Sequence, residues 1–100
     1  MKLSHAIRLG SMLTTQHFGS SRSLDGKAAC ALAAATDAIG ERYLIPLEWQ
    51  ANKNVACPVC AAKLKLLSAV ICLNDRHRWT RERIADWVEI IEIEDEINRV

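Results

Sequence analysis

Apolar residues recur at helical intervals in four stretches of this chain, separated by segments that carry glycine, proline or polar clusters. In residues 4–13, Ala6, Leu9 and Leu13 fall on one face, and Ser4 stands where an N-cap belongs, so a short helix is expected. "TTQHFGSSRSLDG" then reads as a polar loop, with His17 an exposed loop histidine. The clearest helix follows. Asp25 is a good N-cap, "KAACALAAATDAI" is rich in strong helix formers, and Gly40 occupies the left-handed position past the last turn.

Residues 41–56, "ERYLIPLEWQANKNVA", break this rhythm. Pro46 excludes a helix interior or a central strand, so an irregular or edge-extended connection is expected, with Tyr43, Leu44, Leu47 and Trp49 folding back as a lid. In "AAKLKLLSAVI" the helical spacing returns. "RWTRERIADWVE" announces the last helix: Thr80 as N-cap, Glu82 in the first turn, and Trp79 and Ile84 at the spacing of a hydrophobic staple. Ile84, Trp87, Val88 and Ile91 form one stripe, and Ile90, Ile93, Ile97 and Val100 a second one nearly opposite. "IIEIE" also alternates like a β-strand; helix is the preferred reading.

One hundred residues, half of them apolar and a quarter charged, fit one small domain. The expected class is mostly α: a helical hairpin over 1–40, an irregular connection over 41–56, and a finger-like half over 57–100 with two helices. A net charge of +1 says little by itself, but its distribution is uneven. Segment 54–80 holds Lys63, Lys65, Arg76 and Arg78 against Asp75 alone, whereas 81–100 holds seven acids against three arginines. That asymmetry speaks against a chain coated with cations for phosphate. The N-terminus has no signal-peptide character and no apolar run is long enough to span a membrane, so a cytoplasmic protein is expected. In such a reducing compartment four cysteines point to metal ligands or buried thiols before disulfides.

"CPVCAAKLKLLSAVICLNDRH" holds three of those four. Cys57 and Cys60 enclose Pro58 and Val59 in a knuckle that lets two thiolates reach one ion. Eleven residues separate Cys60 from Cys72, and His77 lies five positions further, close to the spacing of two-Cys, two-His fingers. Ligands five apart sit ~140° apart on an ideal helix, so the helix has to end between Cys72 and His77. Asn74 and Asp75 are the expected terminators. Cys57, Cys60, Cys72 and His77 would form a closed set of four donors, the structural kind of Zn2+ site, with no open position for catalysis. Cys72 could instead be a core residue. Cys30, alone in its helix, reads as a buried small hydrophobe.

A dithiol redox protein using the CPVC pair is the alternative, although "NKNVA" before it makes a poor strand. A helix-turn-helix reading of "TRERIAD" fails, because the following segment is acidic and lacks a glycine turn. No catalytic triad, phosphate loop or open metal site is visible, so an enzyme is not expected. The function expected is a non-catalytic, zinc-stabilised interaction module for a protein or nucleic acid. Lys63, Lys65, Arg76, Arg78 and Trp79 are the candidate contacts, and a homodimer through Ile90, Ile93 and Ile97 is compatible with this reading.

"CPVC" followed by "LNDRHRWTRERIADWVE", with "AIRLGSML" and "CALAAATDAIG" upstream, resembles a family of small bacterial and phage-associated proteins across most of the chain. The resemblance implies histidine in relatives at the position of Cys72, hence a two-Cys, two-His set there and a zinc-competent replacement here. It implies no activity.

Overall fold

The structure, a computed structural model, describes residues 1–41, 45–50 and 53–98. Helix α1 spans Leu3–Leu13 and buries Leu3, Ala6, Ile7 and Gly10, an i, i+3, i+4, i+7 set. The expected face was in error by about one position. Leu13 is 68% exposed, and Ser4 lies inside the first turn rather than capping it, its hydroxyl donating to Glu92. The face that wins contains Gly10, because there the backbone of α2 comes too close for any side chain. A Cβ at Gly10 would sit 1.8 Å from the Ala34 carbonyl oxygen.

Two short strands, β1 (Thr15–Gln16) and β2 (Ala28–Ala29), pair in parallel and precede α2, Ala31–Ala38. Helix α2 is therefore shorter than its composition suggests. Asp25 does not cap it; its carboxylate accepts from the Ser23 hydroxyl at 2.7 Å and the Lys27 N–H at 3.0 Å, closing a turn. Strand pairing then claims Ala28 and Ala29 against their helix propensity. Cys30 is the N-cap, its sulfur accepting from the Ala33 N–H at 3.4 Å. The far end is as expected: Gly40 has φ 75°, and Glu41 N–H to Thr36 O with Gly40 N–H to Asp37 O close a Schellman motif.

After Pro46 comes a 3-10 turn, Leu47–Gln50. Trp49 is the lid residue, buried and donating its indole N–H to the Met1 carbonyl at 2.9 Å. Leu47 is exposed, and Tyr43 and Leu44 lie outside the described residues. Strands β3 (Asn54–Ala56) and β4 (Lys63–Lys65) form an antiparallel hairpin with Val55 opposite Leu64. Two expectations are corrected here. "NKNVA" does contain a strand, and "AAKLK" is turn and strand rather than helix, since Lys63-Leu64-Lys65 alternates with Leu64 inward.

Helix α3, Leu66–Asp75, follows directly, and α4 covers Arg81–Asn98. Thr80 caps α4 through its hydroxyl, which accepts from the Arg83 N–H at 3.2 Å. "IIEIE" is helical throughout. Ile84, Val88 and Ile91 are buried and meet Ile7, Val70 and Leu73 in a core drawn from all four helices. The opposite stripe stays exposed: Ile90 by 56%, Ile93 by 47% and Ile97 by 66%, with Val100 outside the described residues. None of the described helices is long and apolar enough to cross a membrane.

Two buried polar side chains tie the N-terminal segments to the C-terminal half. Arg81 donates to the carbonyls of Ser11, Thr14 and Ala29 and to the Thr14 hydroxyl; burial pulls its pKa down. Asn74 is fully buried: its oxygen accepts from the Gln16 amide and the Ala31 N–H, and its amide donates to the His17 carbonyl.

Candidate metal centre

Each donor owes its position to a local feature of the chain. Cys57 directly follows β3, and the Cys57–Cys60 turn is pinned by Ala61 N–H to Cys57 O and Cys57 N–H to Ala62 O, both 2.9 Å. Ala61 takes φ 61°, the left-handed geometry that turns the chain back into β4. On the other side, Cys72 lies on the last turn of α3. The Arg76 and His77 N–H groups both reach the Cys72 carbonyl, at 2.9 and 3.2 Å; the second is a wider, π-type bond, so the helix loosens and then stops.

The expected terminators were misplaced. The helix runs through Asn74 and Asp75, and the left-handed residue is Arg78, with φ 52°. Asn74 is occupied as the buried hub that holds the end of β1 with His17 and the start of α2. The requirement itself is met, because His77 lies beyond the helix and turns its ring back towards Cys72.

Cys72 Sγ and His77 Nε2 are 3.6 Å apart, and the donor atoms of Cys57, Cys60, Cys72 and His77 all lie within 4.8 Å of one another. In a tetrahedral zinc site, Zn–S near 2.3 Å and Zn–N near 2.05 Å put the S···N separation at about 3.6 Å and S···S at about 3.8 Å. The Cys72–His77 separation is already at that value. The group as a whole needs to contract by at most about 1 Å.

Environment divides the sulfurs. Cys57 and Cys72 are buried and Cys60 is exposed. The Ala62 backbone N–H, with His77 and Cys57, draws the Cys60 thiol down to about 6. Burial, reinforced by the sulfurs of Cys60 and Cys57, pushes Cys72 up to about 11. Three thiolates this close oppose one another, and a divalent cation relieves the opposition by displacing the remaining protons. Four protein donors leave no coordination position for substrate or water in a four-coordinate site.

The other candidates stand apart or around this group. Cys30 is buried at the start of α2, and His5 and His17 do not belong to the group; His17 pairs with the Ser20 hydroxyl at 2.8 Å. Lys63, Lys65, Arg76 and Arg78 are all exposed, and Trp79 is half-buried. Two neighbours escaped the sequence reading. Phe18 lies under the Arg78 guanidinium, 4.7 Å from its ring centre, and Arg83 stacks on Trp79 at 3.9 Å. Trp79 and Arg83 are four apart across a helix start, a spacing that could have revealed the second pair; Phe18 left no such signal.

Comparison of the chain with protein-family models, curated proteins and solved structures found no match.

Proposed function

We propose that this chain is a non-catalytic interaction module stapled by one structural Zn2+, held by Cys57, Cys60, Cys72 and His77. The observation that carries the reading is the convergence of those four donors within 4.8 Å. Three thiolates and an imidazole are soft and borderline ligands that favour zinc over magnesium or calcium, and a closed set favours a structural over a catalytic role. The ion would join the β3–β4 hairpin to the end of α3 and the lead-in to α4, elements too short to define that junction by packing alone. The surface around it, formed by Lys63, Lys65, Arg76, Arg78 and Trp79, would receive a protein or a nucleic acid. A bacterial cytoplasm, which the resemblance to bacterial and phage-associated proteins implies, fits reduced cysteines.

Native mass spectrometry of protein made without added metal tests this. The expected result is one zinc per chain, lost on acidification together with helical signal. One observation favours a second reading, a dithiol redox protein: Cys60 is exposed and easily ionised beside the buried Cys57, the arrangement of an attacking and a resolving thiol. A metal-free, folded chain whose Cys57 and Cys60 cycle between dithiol and disulfide would install that reading instead.

A further inference from the structure

Ionic partners are distributed unevenly over this molecule. Lys2 pairs with Glu96, Arg8 with Asp86 and Glu89, Arg22 with Asp37, and Lys53 with Asp95, while Lys27 is exposed and forms no ion pair among the described residues. Around the metal centre the situation is reversed. Lys63, Lys65, Arg76, Arg78 and Arg83 are exposed, and among the described residues none of them forms an ion pair. Nearby acids offset this only in part. Asp75 is engaged by the Gly19 N–H at 3.0 Å and by the Asn74 amide, Glu82 opens α4, and a zinc ion with three thiolates would carry one net negative charge. Lys65 pairs across the hairpin with Asn54, next to the Lys53–Asp95 pair and away from the knuckle, so four cations face these three charges and the surface stays net positive.

Its second component is aromatic. Arg78 lies over Phe18 and Arg83 over Trp79, so two guanidinium planes are backed by rings. The stacks adjoin, because residues 78 and 79 are consecutive and the Gln16 amide, two residues before Phe18, donates to the Trp79 carbonyl at 2.6 Å. Arg78 reaches its ring from a left-handed backbone, a conformation that disfavours a long side chain unless its surroundings hold it there.

From these features we infer that the loop between α3 and α4, with the start of α4 and the β4 edge, binds single-stranded nucleic acid. The cations would hold phosphates, and the ring-backed guanidiniums of Arg78 and Arg83 would stack unpaired bases. A duplex hides those base faces, and the one long helix beside this surface, α4, is too acidic to enter a groove. The inference rests on the interaction-module reading above and names its partner class.

The test is fluorescence anisotropy of the full chain, its zinc content measured on the same sample. The probe is a labelled mixed-sequence single strand of about 20 nucleotides, longer than the ~4–16 nucleotide footprints of small single-strand binders. Its duplex and polyglutamate serve as competitors. Binding is expected to weaken roughly twentyfold to a hundredfold between about 50 and 200 mM salt, as three to five phosphate contacts at a slope of ~0.7 each require. Arg78→Gln combined with Arg83→Gln should bind at least about tenfold more weakly. Lys63→Gln with Arg76→Gln probes the same surface independently should the first pair fail to fold. Lys2→Gln, about 20 Å along α4 from Arg83 by way of Glu96, should change nothing. No binding at low salt, unchanged binding by the arginine and lysine variants, or equal capture of duplex or polyglutamate would each overturn the inference. Zinc present without strand binding would overturn it alone; strand binding without zinc would overturn the metal reading alone.

Discussion

At single residues the cysteines separate cleanly by what their sulfurs touch. Cys57→Ser or Cys60→Ser should abolish zinc binding and the helical signal of the C-terminal half, since structural zinc contributes about 10–16 kcal/mol in small finger peptides. Cys30→Ser should cost no more than about 1 kcal/mol, because serine is itself among the best N-caps and the sulfur there caps Ala33. Equal loss of circular dichroism on all three substitutions would contradict the ligand assignment. Protonation supplies an independent check. With Cys72 raised to about 11 and Cys60 lowered to about 6, near neutral pH Cys72 still holds its proton while Cys60 has mostly lost its own. Metal binding must then expel the Cys72 proton, so affinity rises with pH and falls on acidification, more steeply below about 6, where Cys60 also has to be deprotonated. Zinc titration calorimetry in two buffers of different ionisation heat should show at least one proton released near neutrality. None released would remove Cys72 from the set.

Among the elements, the crossing of α1 and α2 depends on one glycine. Gly10→Ala gains helix propensity, yet its methyl would meet backbone rather than a movable side chain. Net destabilisation of about 1–3 kcal/mol is expected from chemical denaturation. Thr80→Ala should cost about 1 kcal/mol by removing the cap of α4. These elements also show what could be read in advance. The inward stripe of α4, its cap, the Gly40 terminus and the knuckle rest on contacts within a few positions, and all four were legible. Several of the misreadings share one cause, which is competition from distant partners. Ala28 and Ala29 leave α2 because Thr15 and Gln16 pair with them, Ser4 faces Glu92, and Asn74 is claimed by the end of β1 and His17. The four donors were legible as a spacing, whereas the Phe18–Arg78 stack joins residues too distant in sequence for any periodicity to mark.

For the whole molecule, the exposed Ile90, Ile93 and Ile97 stripe bears on self-association. If two copies pair through it, sedimentation velocity should show concentration-dependent dimer, weakened by Ile93→Lys; a strict monomer at high concentration would end that idea. The pairing of α1 with α4 has a different consequence, one that concerns synthesis. Ser4 meets Glu92 across 88 positions and Arg8 meets Asp86 across 78. At about 5–20 residues per second, α1 waits roughly 4–16 s on the ribosome for α4, with only α2 available to cover it meanwhile. The cysteine–histidine group is complete once residues 57 to 77 have been made. Metal capture can therefore precede closure of the core, and the N-terminal helix is the piece a chaperone would have to shield meanwhile.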